Sequence, residues 1–169
     1  MEPTINVSTV QWVQIATVLL TGLLAGLFYG YDCSVIKGLG NLSDKAYLQS
    51  FQSISKEIIN PYFFLSFIGS MIVLPISAWL TFKIEVGTSF YLLLVATLVY
   101  WIGVFVITGV CNVPLNNMVE QFNISEASDA AIAEMRQKFE TEWNLWHHIR
   151  TYASIISFLF SIIAAVKRT

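Results

Sequence analysis

Residues 86–119 read VGTSFYLLLVATLVYWIGVFVITGVCNVPLNNMV, 34 consecutive positions without a charged side chain. A helix crosses the roughly 30 Å hydrocarbon core of a bilayer with about 20 mostly apolar residues, at about 1.5 Å each. From Thr88 onward this stretch spans about 48 Å as a helix, so its far end must bend or protrude, and Pro114 is the expected place. Three more charge-free stretches accompany it: Pro3–Tyr31 with 29 residues, Ile58–Phe82 with 25 and Thr151–Val166 with 16. The last is short, but Trp143, Leu145, Trp146 and Ile149 extend its apolar character upstream, and Lys167 and Arg168 can snorkel at its other end. Of the remaining sequence, residues 32–57 carry 6 charges and residues 120–150 carry 9.

This partition predicts an all-α fold, a bundle of four transmembrane helices forming one integral membrane domain over residues 1–169. The spans are expected near residues 10–31, 61–82, 88–111 and 148–166. A soluble all-α core would need charges along the outer faces of these helices, and the stretches offer none. Composition agrees. The 169 residues are 56% hydrophobic and 12% charged, against about 45–50% and about 25% in ordinary soluble chains. Such a chain is too apolar for disorder, a net charge of −2 gives no basic footprint for nucleic acid, and two cysteines cannot staple a chain this long. The start, Met-Glu-Pro-Thr, is not basic, and no cleavable signal peptide is expected. The expected location is an integral membrane one, the bacterial inner membrane, with the lipid bilayer as solvent. The basic C-terminus and short middle turn favour termini inside.

Between the spans, the periodicity predicts two extramembrane features. Gly38 and Gly40 suit a turn, Ser43 caps a helix from Asp44, and Tyr47, Phe51, Ile54 and Ile58 fall on one face of it. That amphipathic helix lies on the interface or packs over the bundle end. Asn60 and Pro61 form an N-cap and first position for span two. Ser125 and Ser128 offer caps for a last long helix leading into span four, with Ile132, Met135, Phe139, Trp143 and Trp146 as its apolar stripe. Gly22, Gly26 and Gly30 share one face of span one. Small residues at this spacing admit a close helix, in the same chain or in a protein partner or second copy. Ser66, Ser70 and Ser77 do the same in span two.

An even number of spans puts both long connections on one side, the loop end. It gathers there the exit of span one with Asp32, Asn60, the segment Asn112–Asn117 and the segment Trp143–Arg150. Asn112 and Asn116 share a helical face and either read a ligand carbonyl or satisfy backbone groups. Arg150 either snorkels or points into the bundle, where Asp32 is its best ion partner. His147 shares a face with Thr151 and Ser154, and is either a proton-transfer group or an interfacial histidine. His147 and His148 lie about 100° apart on a helix and cannot easily grip one ion; no spacing favours a metal or another cofactor. Cys33 and Cys111 both fall at the loop end, as a disulfide or as two free buried thiols.

The pieces Leu24-Ala25-Gly26-Leu27-Phe28, Asn60-Pro61 with Phe63, Asn112-Val113-Pro114-Leu115-Asn116 and Trp143-x-x-Trp146-x-x-x-Arg150-Thr151 resemble, in order and spacing, the anthrone-oxygenase-like family of small four-span membrane proteins. The resemblance covers about residues 15–165. It implies a four-helix membrane fold and, for a few fungal relatives, oxygenation of a polycyclic anthrone to an anthraquinone without metal or organic cofactor. On that reading His147 or His148 serves as base. Asn112, Asn116 and Arg150 hold an oxyanion, while Tyr29, Tyr31, Trp143 and Trp146 line the site beside Asn60 and Asp32. The ligand is then an apolar aromatic or quinone-like small molecule. The other reading is a non-catalytic accessory or structural subunit of a membrane complex.

Overall fold

The computed structural model describes residues 6–167. Helix α1 (Val7–Gly30) opens on Asn6, whose side chain accepts a hydrogen bond from the Ser8 amide at 2.9 Å. It continues without interruption through a π-helical turn, Tyr31–Val35, into α2 (Ile36–Gly40). The turn expected at Gly38–Gly40 is therefore one more helical stretch, and the chain leaves the helix only after Gly40. Helix α3 (Asp44–Glu57) follows, with Ser43 at its N-cap but making no side-chain capping bond. Helix α4 (Pro61–Ile84) begins as the sequence dictates: Asn60 Oδ1 accepts from the Phe63 amide at 3.0 Å and Pro61 occupies the first turn.

After the short turn at residues 85–87, α5 (Thr88–Tyr100) runs into two π-helical segments, Trp101–Val106 and Thr108–Asn112, and then α6 (Val113–Glu120). The backbone stays helical through Pro114, and the third helix continues past it to Glu120. Pro114 is the second residue of α6, directly after the second π segment, where the hydrogen-bond pattern shifts and its missing N–H falls at the junction. The last helix, α7 (Asp129–Lys167), has 39 residues, with the Ser128 hydroxyl accepting from the Ala131 amide at 3.3 Å. Arg168, expected to snorkel, lies outside the described residues. The described residues contain no strand.

Four helical stretches, 7–40, 61–84, 88–120 and 129–167, are long and apolar enough to cross a membrane. The chain is an integral membrane protein built as an all-α four-helix bundle. Helix α1 packs on α4 and α7, and α5 packs on the same two, so the spans form a square. Gly22 sits where an added Cβ would meet the Phe158 ring at 2.8 Å, which makes it the close contact between α1 and α7. Gly26 and Gly30 have nothing within 4 Å, so the close packing expected along this whole face is confined to Gly22. Ser66, Ser70 and Ser77 are all buried inside the bundle.

At the loop end, α3 packs over the bundle against α6 and α7. This decides the question left by its amphipathic pattern. Its Tyr47, Leu48 and Phe51 join Leu39, Val119, Ile132, Phe139 and Trp143 in a second core outside the spans. Phe51 meets Phe139 edge-on at 4.4 Å and Trp143 at 5.1 Å, both favourable aromatic geometries. Arg136 fastens the corner before α3. Its guanidinium donates to the Gly40 and Leu42 carbonyls at 2.9 and 2.7 Å and pairs with Asp44 at 3.0 Å and Glu140 at 2.8 Å. Its charge also lies over the Tyr47 ring at 4.5 Å. Burial, and secondly the Glu140 carboxylate, push the Tyr47 hydroxyl above its ordinary range, so that ring stays neutral under the cation.

Candidate functional site

Beneath α3 lies a cavity of about 260 Å³. Span one supplies Leu27, Phe28 and Tyr31, and α3 supplies Phe51, Ile54 and Ile58. Helix α4 adds Phe63, Phe64 and Phe67; the third helix adds Thr108, Asn116 and Glu120; α7 closes it with Trp143, His147 and Arg150. Phe63, Phe67 and Phe105 form a run of near-parallel rings, with centroids 5.2 and 5.6 Å apart. The lining is mostly apolar and rich in aromatic rings, with a few convergent polar groups, the usual make-up of a small-molecule site.

The polar groups are tightly specified. Residues 143, 147, 150, 151 and 154 recur at helical spacing and face inward from α7; all five are buried. His147 stacks on Trp143 with centroids 5.0 Å apart and 8° between planes. Its Nε2 lies 3.2 Å from the Phe28 carbonyl, and its Nδ1 lies 3.2 and 3.0 Å from Arg150 Nε and Nη2. A guanidinium only donates and a carbonyl only accepts. The imidazole is thereby fixed with its proton on Nε2 and its lone pair on Nδ1, facing the arginine. Arg150 Nη1 also reaches Thr108 Oγ1 at 3.4 Å, and its charge sits over the rings of Phe28 at 4.7 Å and Trp143 at 5.2 Å.

Arg150 is 8% exposed. Among the described residues no carboxylate pairs with it. The ion partner expected for it, Asp32, instead bonds His148 Nδ1 at 2.6 Å. The reason is helical phase: His148 and Arg150 project about 200° apart on α7, so the former meets Asp32 while the latter turns to Phe28. A buried cation held by neutral groups and ring faces alone is costly and characteristic of a functional position.

The other expected site residues divide. Tyr31, Trp143, Asn116, His147 and Arg150 converge on the cavity. Asn116 Oδ1 accepts from Trp143 Nε1 at 2.7 Å, which sets the indole plane under the imidazole. Asn112 is fully buried just behind, its Nδ2 3.4 Å from the Trp143 carbonyl and its Oδ1 without a partner. Asn60 serves as the α4 cap, with Nδ2 donating to the Glu57 carbonyl at 2.7 Å. Tyr29 is 59% exposed on the outer face of α1. Trp146 is half-buried and, with His148 and Asp32, lies outside the lining. Both cysteines are free; Cys33 is exposed and Cys111 half-buried, so neither is the buried thiol expected. No group of three or more His, Cys, Asp or Glu suited to a metal occurs among the described residues.

Phe28, Phe51, Phe63, Phe67 and Thr108 were not singled out as site residues by the sequence. Phe28 and Phe63 stand inside the segments that carry the resemblance, and Thr108 lies one helical turn before Asn112. Neither the curated proteins nor the solved structures contain a match to the chain. A sequence model of the family described as anthrone oxygenase matches residues 63–160, a segment running from the aromatic wall of α4 through His147 and Arg150 into span four, and the chain thus belongs to the anthrone oxygenase family.

Proposed function

We propose that the cavity binds a flat aromatic molecule with an acidic C–H beside a carbonyl, and promotes its reaction with dioxygen by stabilising the anion. The observation that supports this is Arg150, a buried cation on an aromatic-lined cavity with no carboxylate paired to it. An enolate oxygen supplies the missing negative charge, in a water-poor site where charge-assisted hydrogen bonds are strong. When Arg150 turns towards that oxygen, it releases Nδ1 of His147, whose lone pair then accepts the proton from carbon. The Nε2–H to Phe28 bond holds the ring in the one tautomer that can do so.

The overall change balances without another reductant. A CH2 group loses a proton, its carbanion adds to O2, and the resulting peroxide anion takes the proton up to give a hydroperoxide. Loss of water then leaves C=O: CH2 plus O2 gives C=O plus H2O. Asn116, whose Oδ1 is occupied by Trp143, has its amide N–H groups left for the ligand. His148, outside the cavity, takes no part.

Oxygen uptake by the detergent-purified protein with anthrone tests the reading. Arg150→Gln is expected to lose at least about a hundredfold in rate, as when an oxyanion donor is removed. His147→Ala loses a comparable amount, and His148→Ala stays within twofold. An Arg150→Gln variant that elutes like wild type and keeps its rate would rule the proposal out.

A further inference from the structure

Resting on that reading of the cavity, we infer that its ligand is loaded sideways from the bilayer, as a lipid-dissolved aromatic acid that arrives uncharged. The cavity has two kinds of rim. One is made by Leu27 on α1, Phe64 on α4 and Ile59 just before α4, which are 40%, 44% and 67% exposed. All three are apolar. Leu27 lies three residues before the end of α1 and Phe64 three residues into α4, on two spans that pack on one another. The exposed apolar rim is thus carried by neighbouring spans, on the side that their apolar outer faces turn towards lipid.

The second rim is carried by α6, where Val113 is exposed and Asn117 and Glu120 are exposed at the loop end of the third helix. Its charge is the wrong one for an anionic ligand. An anion approaching from water meets the Glu120 carboxylate, whereas a neutral solute in lipid meets only Leu27, Ile59 and Phe64. The positive charge is met only inside, at Arg150. Such a ligand crosses the apolar rim in its neutral form and becomes an anion only after it has passed. The arrangement selects weak carbon or phenol acids soluble in lipid and excludes permanently charged ones.

The test uses full-length protein in phosphatidylcholine vesicles under anaerobic conditions, which separates binding from oxygenation. Two probes are mixed in, anthrone and a ring-sulfonated anthrone, and the absorbance of the anthrone anion is followed in time. With wild type, the anion is expected to form at a rate set by the anthrone-to-lipid ratio, not by the bulk concentration. The sulfonate gives at least tenfold less. Leu27→Trp with Phe64→Trp slows formation at least tenfold, whereas Leu19→Trp with Ile72→Trp, exposed on the same two helices but outside the lining, leaves it within twofold. This second pair separates narrowing of the rim from damage to the fold. A rate that follows bulk concentration, equal signals from the two probes, or no effect of the rim tryptophan pair overturns sideways loading while the anion still forms. No anion in wild type, or undiminished anion in Arg150→Gln, overturns the underlying reading instead.

Discussion

Arg136→Ala removes the fastening that holds the cavity's roof helix. Its side chain is 13% exposed and makes four hydrogen bonds, two of them to the carbonyls of Gly40 and Leu42. The carbonyl bonds contribute about 1 kcal/mol each once discounted for their exposed setting. The two ion pairs involve carboxylates that are 46% and 25% exposed and so add only about 0.5 kcal/mol apiece. The cation over Tyr47 adds about 0.5 kcal/mol. The sum is about 3.5 kcal/mol of local stability, and water replaces part of it in the variant, leaving a loss of about 3 kcal/mol. At about 1.4 kcal/mol per decade that is a hundredfold fall in protection of the α3 amides against hydrogen exchange. Arg136→Lys keeps the charge but cannot span four acceptors, and should lose about a tenfold factor. Exchange measured by mass spectrometry over residues 41–57 reads both. Protection within threefold of wild type in Arg136→Ala would mean that the aromatic cluster alone holds α3, and the reasoning above would be refuted.

Other outcomes follow from the packing. Phe139, fully buried between Tyr47, Phe51 and Trp143, should cost about 3–5 kcal/mol on truncation to alanine, seen as a lower unfolding midpoint in denaturant. Gly103→Ala would place a Cβ 2.6 Å from Ala153 Cβ, a contact that only backbone movement relieves, and should cost about 1–3 kcal/mol. Gly109→Ala, with nothing within 4 Å, should leave the thermal midpoint unchanged or slightly raised. Cys33 should react with a maleimide at the same rate with and without prior reductant, since it is exposed and unpaired; a gain after reduction would indicate a disulfide.

The spans were legible because hydrocarbon imposes a length and forbids charge, and both are counted directly from residues 86–119 and their three counterparts. The caps at Asn60 and Ser128 were legible for a similarly local reason. What the sequence hid is helical phase. A π turn advances each residue by less than the 100° of an α-helix, so the segment Tyr31–Val35 turns everything after it. Tyr29 and Tyr31 looked alike in sequence, but two residues on a helix project about 200° apart, and one faces out while the other lines the cavity. The pairing of Asp32 with His148 rather than Arg150 comes likewise from the phase of α7. Leu48 escaped the apolar stripe of α3 because that helix is covered on two sides, by α6 and α7, and a single stripe describes only one. The aromatic wall from α4 was hidden by abundance. With 12 phenylalanines in the chain, nothing local distinguishes Phe63 and Phe67 from those that face lipid.

Helix α7 runs for 39 residues without a break, about 58 Å, of which roughly 30 Å crosses hydrocarbon. The remainder is a rigid mast standing out of the membrane, and α3 is seated on it. Arg150 stands on the same rod as the helix surface that carries α3. Roof and cation are therefore referenced to one rigid element, and a change in the tilt of span four moves them together rather than apart.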